Sequence, residues 1–248
     1  MTDPLFDITG KTILVTGASS GIGLHLAGAL ASRGARVIAA SRSATRSAAL
    51  AAVAGAGEVV PLDMDIASAS SVEQAFGRIR ESCGSLQAIV NSAGIAEPQR
   101  GLDMTPDDWH RTIDTNLTGA FLVAQAGARL MTGGGSIIMI ASIGAAKAVA
   151  GLAAYAAAKS GVVMMSRTLA LELAATGIRV NVLMPGYVVT PMNDTFLAGP
   201  GGEKILRKVP MRRFAQPSDL EGAVVFLCAD GSGYVTGASL AVDGGFLA

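Results

Sequence analysis

Residues 12–23, TILVTGASSGIG, decide the fold. Thr12–Thr16 is a short β-rich apolar run, glycines follow at positions 17, 21 and 23, and apolar residues recur at helical spacing over Ile22–Ser32. A strand entering a helix through a glycine-rich turn opens a βαβ unit. The chemistry such a turn suits is phosphate binding. Glycines let the backbone approach a pyrophosphate, and the helix N-terminus offers unpaired N–H groups at the positive end of its dipole. The spacing is G-xxx-G-x-G rather than G-x-G-x-x-G. Gly17, Ser19, Ser20, Gly21, Ile22 and Gly23 are accordingly expected to line a dinucleotide site.

Outward from this unit, strand-like and helix-like segments alternate. Further strands are expected at Arg36–Ala40, Glu58–Leu62, Leu86–Asn91, Ser136–Ala141, Ile178–Met184 and Ser239–Val242. Helices are expected at Ser71–Ser82, Pro106–Met131, Gly151–Ala175 and Pro217–Leu227. Strands apolar on both sides and separated by helices imply a parallel sheet covered on both faces. Right-handed crossovers then give an α/β, Rossmann-type, doubly wound parallel sheet of seven strands. The 248 residues show no linker and no repeat, so 1–248 reads as a single domain. Residues 187–213 carry Pro191, Gly199, Pro200, Gly201, Gly202 and Pro210, and this irregular stretch is expected to be an inserted substrate loop.

Composition narrows the function. Nineteen basic residues balance nineteen acidic ones, which argues against a nucleic-acid partner. Cys83 and Cys228 are too few and too far apart for a disulfide framework or a metal site, so no metal is expected. The N-terminal MTDPLFDITGK lacks a basic region followed by an apolar stretch, and no apolar run reaches membrane-spanning length. A soluble, cytoplasmic protein with no membrane partner is expected.

Near the end of the second strand, a dinucleotide-binding fold selects its cofactor. An acid there would hold the ribose 2′-hydroxyl of NAD. This chain has Ser41-Arg42, and a guanidinium pairs with a 2′-phosphate, so NADP(H) is favoured and NAD(H) is the alternative. Tyr155 and Lys159 stand four apart in LAAYAAAKSG and share one helix face. A tyrosine is a poor base at neutral pH, and a neighbouring ammonium would stabilise its phenolate. Ser142 lies thirteen residues before Tyr155, just past the fifth strand. Ser142, the glycine loop and Asn91-Ser92-Ala93-Gly94 all fall at strand carboxyl ends, where such sheets bind ligands.

TGASSGIG (16–23), NSAG (91–94), Ser142 followed by YAAAK (155–159), and PGYVVT (185–190) occur in the order and spacing of the short-chain dehydrogenase/reductase family, which the chain resembles from Gly10 to Gly245. The resemblance implies a catalytic tetrad of Asn116, Ser142, Tyr155 and Lys159. Tyr155 would be the general acid/base and Ser142 would bind the substrate oxygen. Lys159 would lower the tyrosine pKa and hold the nicotinamide ribose, and Asn116 would hold a relay water. The resemblance also implies that Asp65 and Ile66 flank the adenine, that Asn91, Ala93 and Gly94 line the cofactor cleft, and that Pro185, Gly186, Val188 and Thr190 lie at the nicotinamide end. Two departures stand out. NSAG replaces NNAG or NAAG, and Ser20 stands where some NADP-dependent members carry a second basic residue.

LFDITGKTILVTGASSGIG (5–23) and PMNDTFLA (191–198) are similar to the gluconate 5-dehydrogenase-like branch. That likeness implies reversible hydride transfer on a ketone or secondary alcohol, with a sugar acid or polyol as substrate. Tyr187, Met192, Asn193, Phe196 and Leu197 are expected to contact it, with Asn193 and Asp194 suited to hydroxyls and Ile143, Ala145 and Ala146 forming the wall beyond Ser142. Two other readings stand beside this one. A 3-oxoacyl-carrier reductase would need a basic patch, for which Arg207, Lys208, Arg212 and Arg213 are available. A non-catalytic NADP-sensing protein on the same fold would typically lack Tyr155 or Lys159. The family resemblance further implies a homotetramer built by the helices expected at Pro106–Met131 and Gly151–Ala175.

Overall fold

The sheet follows from alternation within its strands. In the computed structural model, which describes residues 3–53 and 57–248, the seven strands are β1 (Thr12–Thr16), β2 (Arg36–Ser41), β3 (Val59–Asp63), β4 (Ala88–Asn91), β5 (Gly135–Ile140), β6 (Ile178–Pro185) and β7 (Ser239–Val242). They form one parallel sheet in the order β3-β2-β1-β4-β5-β6-β7. The helices are α1 (Gly21–Ala31), α2 (Ala48–Val53), α3 (Ala69–Cys83), α4 (Pro106–Ile113), α5 (Gly119–Ala128), α6 (Ala153–Leu173), α7 (Asp194–Leu197), α8 (Pro200–Leu206) and α9 (Glu221–Cys228).

Successive strand residues point to opposite faces. Ile13, Val15, Val37 and Ala39 pack with Leu26 and Leu30 of α1 and Val224 and Leu227 of α9. Leu14, Ile38, Ile89 and Ile137 pack on the other face with Phe76 of α3, Val123 of α5 and Val162 of α6. This is the two-faced single-domain architecture expected from the sequence. The strand order reverses between β1 and β4, where connections leave to opposite sides and open a crevice at the strand carboxyl ends.

Three local expectations change. The helix expected over Pro106–Met131 is α4, a π-helical turn at Asp114–Thr118, and α5, ending at Ala128. The wider turn carries Asn116 inward, where it is buried and bonded to Ile95. The sequence reading assigned no helix to Ala48–Val53, whose AALAAV buries only Leu50 and therefore shows little periodicity. Within 187–213, α7 and α8 are ordered, α8 starting with Pro200 in its first turn. Among the described residues, no helix is long and apolar enough to cross a membrane.

Candidate active site

Thr16 closes β1 and fixes the crevice. Its buried hydroxyl donates to Asn91 Oδ1 at 2.9 Å and accepts from the N–H groups of Ser92 and Ala93, each at 3.0 Å. Asn91 Nδ2 donates to the Ala120 carbonyl at 2.9 Å. One hydroxyl thus sets the spacing of the β1 and β4 ends, a role not expected from the sequence. The usable signal was a threonine as the last strand residue before Gly17. Asn91 itself is a buried brace behind the wall, and Ser92 takes the lining position that the resemblance gave to Asn91.

The glycine turn is sterically obligatory. Gly17 has φ +68°, and a Cβ on Gly23 would lie 2.4 Å from the Gly17 carbonyl oxygen. Ser20 caps α1 without using its side chain, and no acidic residue stands in the first turn of that helix. This N-terminus is therefore open to an anion. Ser41 and Arg42 lie at the end of β2. Arg42 is exposed and makes no ion pair among the described residues, while Ser41 Oγ is buried without a hydrogen-bond partner. An unengaged guanidinium beside an orphaned hydroxyl, with the neighbouring Asp63 carboxylate already held by Thr45, fits a phosphorylated ribose. The donor set therefore fits NADP.

At the other end, Ser142 follows β5 and caps a 3₁₀ turn (Ile143–Ala145), its Oγ accepting from Gly144 N at 3.0 Å. Because that bond occupies a lone pair, the hydroxyl proton remains available to donate. Tyr155 and Lys159 project from the first turns of α6. Lys159 is buried and donates from Nζ to the Ile140 carbonyl at 2.9 Å, and Nζ lies 5.7 Å from the Tyr155 ring centroid. Burial lowers the lysine to about 8 from the ordinary 10.5.

Tyr155 departs from the expectation that its neighbour lowers its pKa. Burial pushes it above 10.0, and the hydrogen bond with Ser142 acts in the opposite direction. The phenol is therefore protonated at neutral pH. Gly94 makes room for this group: a Cβ there would lie 2.7 Å from Asn116 Oδ1 and 3.4 Å from Lys159 Nζ. Asn116 Oδ1 accepts from Ile95 N at 2.9 Å, and its Nδ2 donates to Ile95 O at 2.8 Å. Each amide atom thus spends one of its two hydrogen bonds on the Ile95 backbone.

One cleft of about 500 Å³ joins the two ends. Of the residues expected in cofactor binding or catalysis, all but Asn91 and Asn116 line it, including Asp65, Ile66, Ala93, Pro185, Gly186, Val188 and Thr190. Asn193 lines it as well, but its amide is largely engaged. Oδ1 accepts from Thr190 N at 3.0 Å, and Nδ2 donates to Val188 O at 3.0 Å. It fixes the turn carrying Thr190 rather than standing free for a hydroxyl.

Tyr187 turns away from the cleft into an aromatic cluster, with its ring 5.4 Å from Phe246 and 6.4 Å from Phe214. Phe196, Leu197, Ile143, Ala145 and Ala146 are likewise absent from the lining, whereas Met192 is present. The sequence reading missed Glu97 and Arg111, which line the cleft as an ion pair. None of the four basic residues considered for a patch lines the cleft. Arg213 makes two bonds to Asp219, at 2.6 and 2.7 Å, and Arg212 donates to the Arg207 carbonyl. Among the described residues, no cluster of histidine, cysteine and carboxylate groups could hold a metal.

Residues 17–247 match a family model described as enoyl-(acyl carrier protein) reductase. The chain is 39% identical over 245 residues to a D-threitol dehydrogenase of Mycolicibacterium smegmatis, covering 97% of this chain and 94% of that protein. It is 37% identical over 246 residues to a 3-oxoacyl-[acyl-carrier-protein] reductase of Synechocystis, covering 97% and 98%. Its structure is similar to that of a gluconate 5-dehydrogenase from Burkholderia cenocepacia in complex with NADP and tartrate, with a TM-score of 0.94, 34% identity and 98% coverage of both chains.

Proposed function

The chain belongs to the short-chain dehydrogenase/reductase family and is an NAD(P)-dependent oxidoreductase of carbonyl and alcohol groups, and we propose that it is NADP(H)-preferring and acts on a polyhydroxylated substrate, a sugar acid or a polyol, through Tyr155. The observation that carries this reading is the convergence of Ser142, Tyr155 and Lys159 on the same cleft as the glycine turn and Arg42.

When bound, the nicotinamide supplies or accepts the hydride. In reduction, Tyr155 is already protonated and gives its proton to the oxygen that becomes an alkoxide. Ser142 donates to the same oxygen, and both donors act most strongly where negative charge develops. In oxidation, Tyr155 accepts the alcohol proton, so that direction gains as the phenolate becomes accessible at higher pH. Lys159, titrating at about 8, keeps a cation beside the ring at neutral pH and retains donors for a ribose hydroxyl beyond its bond to Ile140. Asn116 orients the Ile95 segment and is the residue assigned to a relay water.

Arg42 supports the NADP preference, and NAD is the second cofactor expected to be accepted. The segment 187–213 serves as the substrate loop, braced by Asn193. Exposed Phe121 on α5 and exposed Met164 and Leu171 on α6 support the homotetramer that family membership implies. A 3-oxoacyl-carrier reductase is the competing substrate reading, and engagement of Arg213 with Asp219 weakens it. The test is a spectrophotometric screen of ketones, polyols, sugar acids and a 3-oxoacyl thioester with NADP(H), with NAD(H) in parallel. Turnover of a polyhydroxylated substrate with NADP(H) in excess of NAD(H) is expected; turnover confined to the thioester would overturn the substrate reading.

A further inference from the structure

The wall of the reacting end carries a fixed charge arrangement. After β4 the chain passes Gly94, against Lys159 and Asn116, and reaches Gln99, whose N–H donates to the Gly151 carbonyl at 2.8 Å just before α6. Glu97 lies between these anchors, on the stretch that runs from Gly94, beside Lys159, to the Gly151 segment entering α6. Across from it, Arg111 Nη2 donates both to Glu97 Oε2 and to Asp108 Oδ1, the latter at 2.8 Å. The other Asp108 oxygen accepts from Thr105 Oγ1 at 2.7 Å.

Two carboxylates therefore share one guanidinium, leaving a net charge of −1. Glu97 and Arg111 are about half-exposed, at 49% and 51%, so the charge faces the cleft rather than the core. Glu97 Oε1 carries no hydrogen bond among the described residues and is an open acceptor. The other cations lining the cleft are Arg42, at the far end on β2, and Lys159, which is buried and bonded to Ile140. A substrate carboxylate at the reacting end would meet a wall of its own sign, and Lys159 there is buried, bonded to Ile140 and assigned to the ribose. Neutral hydroxyls would meet an acceptor.

Resting on the oxidoreductase reading above, we propose that Glu97, held by Arg111 and Asp108, makes this site specific for neutral polyols and their ketoses against the corresponding sugar acids. In oxidation the secondary alcohol loses its hydride to the nicotinamide and its proton to Tyr155, giving the ketone. Glu97 takes part in neither transfer and acts on selection alone.

The experiment compares matched substrates of equal carbon number, a neutral polyol and its aldonate, in the NADP-coupled assay. The wild type is expected to favour the neutral member in kcat/KM by about tenfold, the order expected for one solvent-screened net charge lining the cleft. Raising the salt concentration should narrow the ratio. Glu97→Gln should narrow it mainly through a lower KM for the aldonate, and Glu97→Arg should reverse it. Equal or better use of the aldonate by the wild type, or a ratio indifferent to both substitutions and to salt, would overturn the proposal while leaving Tyr155-dependent turnover intact. Turnover that survives Tyr155→Phe would instead overturn the reading on which it rests.

Discussion

Replacing Lys159 with methionine should change stability in a way that depends on pH. In the folded protein the buried ammonium titrates at about 8, whereas an unfolded lysine titrates at 10.5. Below pH 8 both states are charged, and the folded state bears the full desolvation of the ammonium. Between pH 8 and 10.5 the unfolded chain binds more protons than the folded one, so the wild type gains stability as pH rises. At ~1.4 kcal/mol per pH unit, the gain across this window is ~3 kcal/mol. Methionine has no such titration, but it leaves the Ile140 carbonyl without its donor, which costs about 1–3 kcal/mol at every pH. At pH 7 the opposing terms leave Lys159→Met within about 2 kcal/mol of the wild type, and at pH 10.5 it should be the less stable by about 1–3 kcal/mol. The assay is urea unfolding of both proteins without nucleotide at pH 7 and 10.5, at one protein concentration. Other titrating groups are common to both proteins and largely cancel in the difference. A stability difference that stays flat across this range would refute the argument, because the lysine would then titrate normally.

Arg42→Asp should lower the NADP-to-NAD ratio of kcat/KM by roughly a hundredfold, through loss of a charge-assisted bond and gain of repulsion; steady-state kinetics with each cofactor checks this, and equal losses would contradict it. Gly23→Ala should weaken NADPH binding at least about tenfold, because the new methyl collides with the Gly17 carbonyl and must displace the phosphate turn; fluorescence titration measures it, and an unchanged Kd would contradict it. Thr16→Val removes three buried bonds with nearly unchanged volume and should destabilise the fold by about 2 kcal/mol; urea denaturation decides, and a loss under ~0.5 kcal/mol would show that the β1–β4 brace is unimportant.

The sheet was legible because its strands are buried on both faces and read as apolar runs between glycines and helices. The glycine turn was legible because steric necessity dictates glycine at Gly17 and Gly23, and that necessity leaves a trace in spacing. Ser142, Tyr155 and Lys159 were legible by register along the chain. What stayed hidden depends on contacts between distant segments. Nothing local announces that Asn91 and Asn193 brace backbone, that Asn116 bonds Ile95 from a widened helical turn, or that Glu97 meets Arg111 fourteen residues later. The tyrosine shows a second limit. Spacing places an ammonium beside it, but the direction of its pKa follows from burial, which only the packed structure reveals.

Tyr155 is the group proposed to move the substrate proton. Its most direct test is Tyr155→Phe, assayed for NADPH-dependent carbonyl reduction and, in the same preparation, for NADPH affinity by fluorescence titration. The phenyl ring keeps the packing and removes only the hydroxyl. Turnover should fall by at least about a thousandfold while the Kd for NADPH changes by less than about threefold. Turnover within about tenfold of the wild type would contradict the mechanism.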